Sequence, residues 1–348
     1  MEHHSLYRKY RPHTFAEVIG QDAVVKTLEA AVAAGKPAHA YIFSGGRGIG
    51  KTSLARILAS ALQVTEKDVY EIDAASHNGV DEIRMLREGA MTLPLESPYK
   101  VYVLDEVHML SKGAFNALLK ILEEPPRHVI FILATTDIHK VPETILSRCE
   151  VYTLVRPTRE VLTETVKRIA KKEKISIDPA AADAIAELGD GSFRDTLSIL
   201  QQVITASNGE KITDELVAER TGAPTQALAR TLLETWSQGA YGDALQHITT
   251  ARTQGVNMDM LFSRLLELVR AILLMRSAPK TAKNFEGAFS PDTYAFIVKC
   301  AADAQLQHSI NSKMLRTLLE RGADIRRSPY PHMILELIIL ESSESPQK

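Results

Sequence analysis

Up to about residue 154, short apolar runs alternate with stretches of helical periodicity. The apolar runs cover residues 40–44, 69–72, 100–104, 128–134 and 151–154. They are rich in Val, Ile, Tyr and Phe and nearly continuous in apolar character. That pattern predicts strands of a parallel sheet covered on both faces. Between them, residues 52–62, 80–91 and 113–123 carry helical patterns, with Ser111 placed to cap the third and Pro125-Pro126 to stop it. Strands alternating with helices imply a three-layer α/β domain, here assigned to residues 1–156.

The pattern changes after Arg156-Pro157, and no convincing strand follows. Thr158, Asp178-Pro179 and Ser290-Pro291 read as helix starts, and Gly189, Gly191 and Gly222 as helix ends. We expect a small helical domain over 157–222, a second all-helical domain over 223–340, and a frayed tail over 341–348. The most apolar stretch, residues 261–275, is broken by Arg264, Glu267 and Arg270. Their three-residue spacing puts them on one face, so the stretch predicts an amphipathic helix and not a membrane span.

Composition narrows the picture further. The chain has 348 residues, 45% of them hydrophobic, which allows a large core without covalent staples. Its two cysteines, Cys149 and Cys300, exclude a disulfide framework and suggest a reducing, cytoplasmic setting. They also exclude a four-cysteine zinc site built from this chain alone. The opening Met1-Glu2-His3-His4 starts with an acid and no apolar run follows, so it is not read as a signal peptide; His3-His4 is too sparse for a metal site. A formal net charge of -2 means that any nucleic-acid contact must come from a local patch or from several subunits together. Lys167-Arg168 with Lys171-Lys172 is read as a solvated helical face.

Gly45-Gly46-Arg47-Gly48-Ile49-Gly50-Lys51-Thr52 fits the P-loop pattern, between a predicted strand and a predicted helix. Its backbone N–H groups would wrap a β-phosphate, Lys51 would reach the β- and γ-phosphates, and Thr52 would ligate Mg²⁺. A glycine-rich turn that binds nothing is the plain alternative, and the strand–turn–helix context argues against it. Val101-Tyr102-Val103-Leu104-Asp105-Glu106 is an apolar strand ending in two acids. Lying beside the P-loop strand, it would bring Asp105 near the metal and let Glu106 polarise an attacking water. Leu133-Ala134-Thr135-Thr136-Asp137 ends a further strand with hydroxyls that could sense a γ-phosphate or merely cap the strand. His108 reads as a packed or solvated histidine, and Cys149 as a small buried hydrophobe.

Several segments together resemble a known family. They are Tyr7-Arg8-Lys9-Tyr10-Arg11-Pro12 with Val18-Ile19-Gly20-Gln21, His39 to Gly45, Glu71-Ile72-Asp73-Ala74-Ala75-Ser76, and Asn78 to Arg84. Asp105-Glu106-Val107-His108-Met109-Leu110-Ser111, Phe115 to Lys120, Leu122-Glu123-Glu124-Pro125-Pro126, Ser147-Arg148-Cys149 and Gly191-Ser192-Phe193-Arg194-Asp195 follow. The chain resembles the gamma/tau subunits of bacterial DNA polymerase III, the AAA+ ATPases of the clamp loader. The match is dense over about residues 5–205 and weaker beyond.

The resemblance implies more than the residues alone. Arg148 looks like the arginine finger that completes a neighbouring subunit's site, Arg194 like the second sensor, and Thr136 like the first. Tyr7, Arg11, Val18 and Ile19 resemble the adenine-side wall, and Ser53 follows Thr52 in the cradle. The implied ligands are ATP and Mg²⁺. The implied partners are delta, delta-prime and further gamma/tau copies in a ring, the sliding clamp and primed DNA, with no membrane and no polymerase site in this chain. Residues 223–340 would form the collar. The chain departs from the family by lacking the usual four-cysteine zinc module after the P-loop helix, where only residues 63–68 remain, so no zinc is expected. It ends soon after the third domain, as either a natural short form or a truncated chain would. Three other readings are a branch-migration helicase, which would carry a β-wing after the lid, a non-catalytic scaffold resembling delta-prime, which would have a degenerate P-loop, and a P-loop kinase, which would need an acceptor-binding lid and leaves Arg148 and Arg194 unexplained.

Overall fold

The computed structural model describes residues 5–278 and 289–344, so the reading of His3-His4 and of the tail's last four residues lies outside the described residues. The chain divides into two compact units, residues 1–162 with 189–198, and residues 163–188 with 199–348. Residues 157–222 contribute to both.

The first unit is built on a parallel sheet of β1 (Ala40–Ser44), β2 (Val69–Asp73), β3 (Lys100–Asp105), β4 (Val129–Thr135) and β5 (Glu150–Thr153). The order is β2-β3-β4-β1-β5. β4 therefore separates β1 from β3, and the acid-bearing strand is not the direct neighbour of the P-loop strand as expected. The expected cover on both faces holds for β1, β3 and β4, whose residues are buried nearly throughout. The edge strands differ: Tyr70 of β2 and Val151 of β5 are exposed. An edge strand has one neighbour and less helix above it, which an apolar sequence does not disclose.

Side-chain alternation splits the sheet into two cores. Ile42, Leu104, Phe131 and Leu133 face one side, with α4 (Val80–Ala90) and α5 (Lys112–Glu123) packed there through Ile83, Leu86, Leu118 and Ile121. Tyr41, Phe43, Val101, Val103, Ile130 and Ile132 face the other, under α2 (Asp22–Ala33) and α3 (Lys51–Ala61). Leu54, Ile57 and Leu58 form the buried stripe of α3 at three- and four-residue spacing. Each such large apolar side chain contributes roughly 1.5–3 kcal/mol by leaving water. Tyr70, Tyr102 and Phe131 stack across β2, β3 and β4 with centroids 5.1 and 5.7 Å apart. Ser111 caps α5 as expected, accepting from Ala114 N at 3.2 Å.

Where the four-cysteine module is missing, the short connector is tied down by a carboxylate. Asp68 is fully buried and accepts the N–H groups of Leu95, Glu96 and Ser97 at 2.6, 2.9 and 2.9 Å. Burial alone would raise its pKa; the main-chain donors and the Ser97 hydroxyl overcome that and bring it down to about 2.

The division falls within α7 (Arg159–Lys172) and α9 (Phe193–Ser207), and α8 (Pro179–Leu188) belongs to the second unit. The second unit continues with α10 (Asp214–Thr221), α11 (Gln226–Ser237), α12 (Tyr241–Thr253), α13 (Met258–Ser277), α14 (Pro291–Ala302), α15 (Ser312–Arg327) and α16 (Pro331–Glu344). Ser290 caps α14 ahead of Pro291, and Gly222 closes α10 in the left-handed region, both as read from sequence. α16 extends to Glu344, into the segment expected to fray. Trp236, Phe262, Leu265, Leu268 and Ile297 lie in its core. Arg264 is not on a solvated face with Glu267 and Arg270. It is buried, donating to both carboxylate oxygens of Glu187 at 3.0 and 2.9 Å and to the Pro224 carbonyl. Among the described residues, no helix is long and apolar enough to cross a membrane.

Candidate functional site

All strands of the sheet run the same way, so their carboxyl ends meet along one edge. Ser44 of β1 stands level with Thr135 of β4, and Asp73 of β2 with Asp105 of β3. The candidate residues collect there.

The loop from Gly45 to Gly50 leaves β1 and opens α3. Gly45 N donates to Thr135 O at 3.2 Å, which ties the loop's start to the end of β4. Two glycines are required by geometry. At Gly45, φ is +140° and a Cβ would lie 2.7 Å from the Leu154 carbonyl oxygen. At Gly48, φ is +69° and a Cβ would lie 2.0 Å from Ser192 Oγ. Ile49 is buried beneath the turn, and Arg47 is exposed. Lys51, 6% exposed, folds back so that Nζ donates to the carbonyls of Gly45 and Gly46 at 2.9 and 2.8 Å. Burial lowers its pKa, and the carboxylates of Glu106 and Asp105 oppose that. No side chain caps the N-terminus of the 11-residue α3, so its first-turn N–H groups remain available to an anion.

Thr52 Oγ1 donates to Asp105 Oδ2 at 2.8 Å. The contact spans the intervening β4 because α3 packs over both β3 and β4. A hydroxyl and a carboxylate in contact form a hard-oxygen pair of the kind Mg²⁺ takes, so the residues present suit that ion. Glu106 adopts φ +49° and ψ +43°, a left-handed conformation that costs a non-glycine residue about 1–3 kcal/mol. Its Oε2 accepts from Thr136 Oγ1 at 2.8 Å and from Thr136 N at 3.2 Å.

Arg11 Nε donates to Ser53 Oγ at 3.0 Å, joining the N-terminal arm to α3. Val18 packs on the α2–α3 core, and Ile19 is half-buried. Arg194, in the first turn of α9, stacks its guanidinium over the Tyr7 ring at 5.3 Å, and its N–H donates to Gly48 O at 3.3 Å. The structure thus gathers Tyr7, Arg11, the loop, Asp105, Glu106, Thr136 and Arg194 in the first unit.

Arg148 stands apart from that group. It follows α6 (Glu143–Leu146) and donates to Thr144 O and to Glu123 Oε1, each at 2.8 Å, with its side chain one-third exposed. It lines a surface pocket with His39, Glu123 and Cys149. Burial pushes the Cys149 thiol up to about 12. Sequence reasoning gave no role to Glu123, although it lies in the quoted Leu-Glu-Glu-Pro-Pro run. Nor did it single out Ser192, which packs on Gly48 and caps the start of α9 by accepting from Asp195 N.

Comparisons with known proteins give the chain's family. The family described as DNA polymerase III, delta subunit, matches residues 63–158. The clamp loader subunit ATPase lid domain of DNA polymerase III matches residues 162–209, and domain III of DNA polymerase III subunits gamma and tau matches 212–346. Magnesium chelatase subunit ChlI matches 14–103. The DNA polymerase III subunit gamma of Buchnera aphidicola subsp. Schizaphis graminum is 33% identical over 98% of this chain and 98% of its own length. The chain belongs to the gamma/tau family of DNA polymerase III subunits. The subunit tau of Bacillus subtilis, another gamma/tau relative, is 36% identical over 98% of this chain, which spans 63% of that protein's length. A solved structure of the Thermotoga maritima RuvB Holliday junction branch migration motor is similar with a TM-score of 0.53 and 26% identity, over 65% of this chain and 78% of that one. That is an AAA+ fold: a P-loop domain with a parallel sheet, here followed by the lid and the helical third domain of gamma/tau subunits. The branch-migration reading is not favoured, because residues 212–346 match gamma/tau domain III and no β-wing is found among the described residues.

Proposed function

We propose that the chain is the ATPase motor subunit of a bacterial replicative clamp loader. It would couple ATP binding and hydrolysis to loading a sliding clamp onto primed DNA. The observation that carries the reading is the meeting of Thr52, Asp105 and Lys51 at the carboxyl edge of the sheet, in a chain of the gamma/tau family.

The backbone N–H groups of Gly46 to Lys51 and the start of α3 would hold the phosphates, with Lys51 turning from the Gly45 and Gly46 carbonyls to the β- and γ-phosphate oxygens. Thr52 and Asp105 would hold Mg²⁺, which offsets phosphate charge when bound. Glu106 would take a proton from water as the water oxygen bonds to the γ-phosphorus and the bond to the β,γ-bridging oxygen breaks. Thr136 and Arg194 would contact the γ-phosphate, and Tyr7, Arg11, Val18 and Ile19 would flank the base. Arg148 would serve a neighbouring subunit; its partial exposure on the surface supports that. We further propose domain limits of 1–156, 157–222 and 223–340, the last acting as collar, with delta, delta-prime and other gamma/tau copies completing the ring. DNA would be held through its phosphates, which near-neutral net charge permits when only an inner surface is basic.

The test is ATP turnover by the full chain, reconstituted with delta and delta-prime, with and without a primed template and the sliding clamp. Stimulation by both together is expected; turnover indifferent to both would remove the clamp-loading reading.

A further inference from the structure

His108 lies in the single turn Val107–Met109 that follows Glu106. Only a tenth of its side chain is exposed. Its Nδ1 is 3.0 Å from Thr135 Oγ1 and 3.3 Å from Glu106 Oε2. Thr135 is fully buried at the end of β4. Its hydroxyl donates to Asp137 O at 3.1 Å and accepts from Asp137 N at 3.0 Å. With the hydroxyl proton on Asp137 O, Thr135 presents a lone pair to the imidazole. Glu106 Oε2, a carboxylate oxygen that can only accept, lies 3.3 Å from the same nitrogen. With Thr135 and Glu106 both facing Nδ1 through oxygens that can accept, the tautomer that serves both carries its proton on Nδ1.

Glu106 Oε2 thus faces polar hydrogens and nitrogen from two sides. The Thr136 hydroxyl and N–H come from an exposed residue, where water competes for the same bonds. The His108 Nδ1, 3.3 Å away, belongs to a nearly buried ring in contact with a fully buried hydroxyl, where no such exchange is at hand. Glu106 also sits on left-handed backbone, so its direction is not set by ordinary chain geometry.

We infer that His108 is a positioning residue for Glu106, its Nδ1–H tethering the carboxylate to buried Thr135 at the end of β4. This rests on the assignment of Glu106 as the base for ATP hydrolysis. If Thr136 turns toward a γ-phosphate, it gives up its bonds to Glu106. The imidazole then keeps the carboxylate aimed, and sensing and proton transfer need not compete for one threonine.

The test compares His108→Leu, which removes the donor, with His108→Asn, whose amide N–H can stand close to the place of Nδ1–H. Both are made in the full chain, with Glu106→Gln as control. ATP affinity and Mg²⁺-dependent turnover are measured, along with the imidazole nitrogen and proton resonances of ¹⁵N-histidine-labelled protein. His108→Leu is expected to lower kcat about tenfold with ATP affinity within about twofold, as loss of one hydrogen bond to a charged group allows. His108→Asn should recover more than about a third of the wild-type rate. The wild-type His108 resonances should report an Nδ1–H that shifts in Glu106→Gln. The inference is overturned by a wild-type rate in His108→Leu, by a fall in His108→Asn equal to that in His108→Leu, or by a ring protonated only on Nε2. Full turnover in Glu106→Gln would overturn the base assignment as well. Loss of turnover there with none in His108→Leu would overturn the tether alone.

Discussion

The Arg148 guanidinium pairs with Glu123 at 2.8 Å, so the segment after α6 is latched to the end of α5. Both side chains are partly exposed, at 33% and 50%. Such a pair is worth little to folding, within about 1 kcal/mol. It leaves the arginine where solvent or a neighbour can reach it.

Arg148→Ala should leave ATP affinity within about twofold of wild type and lower the hydrolysis stimulated by primed DNA and clamp by roughly a thousandfold, the scale of a missing arginine finger. Unchanged stimulation in the reconstituted loader would end the assignment in trans. Glu123→Gln, read by urea unfolding, should cost less than about 1 kcal/mol.

Lys51→Ala should abolish ATP binding measured by titration calorimetry. The ammonium is buried against the carbonyls of the loop it would serve. Normal affinity in this variant would mean that the loop is not a phosphate cradle.

Asp68 provides a pH signature. Its folded pKa of about 2 lies below the ordinary 3.8, so it favours the folded state above about pH 4. That contribution fades as pH falls from about 4 toward 2. Asp68→Ala strands three N–H groups and should cost about 2–3 kcal/mol at pH 7, read by urea unfolding. The deficit against wild type should shrink in acid. A deficit independent of pH would show that shape, and not charge, holds the connector.

Arg264→Leu should destabilise the second unit by about 3 kcal/mol or more, since it leaves the Glu187 carboxylate without its bidentate partner. Denaturation followed by Trp236 fluorescence reads this unit directly, as Trp236 lies in its core. A loss below about 1 kcal/mol would mean that water replaces the arginine.

Much of this was legible in the chain. Strand limits fell within about a residue because Val, Ile, Tyr and Phe runs between glycines and prolines leave few alternatives. The loop from Gly45 to Thr52 could be read because its glycine spacing answers to backbone geometry. The rest depended on which elements meet. Strand order is a tertiary choice, so β4 between β1 and β3 left no local trace. His108 and Thr135 are 27 residues apart, and a lone histidine after two acids has no pattern to mark its partner. Arg264 falls on the polar spacing of its helix, yet Glu187 draws it inward. Asp68 gave no hint of its three donors, because they are main-chain groups that any sequence would supply.

Burial raises the thiol of Cys149 to about 12 and that of Cys300 to about 11, and these are the chain's two cysteines. At pH 7.5 both are held as the unreactive thiol. A maleimide dye should therefore react first with a cysteine introduced at an exposed position. Motion near Arg148 can be followed by fluorescence with both native thiols in place.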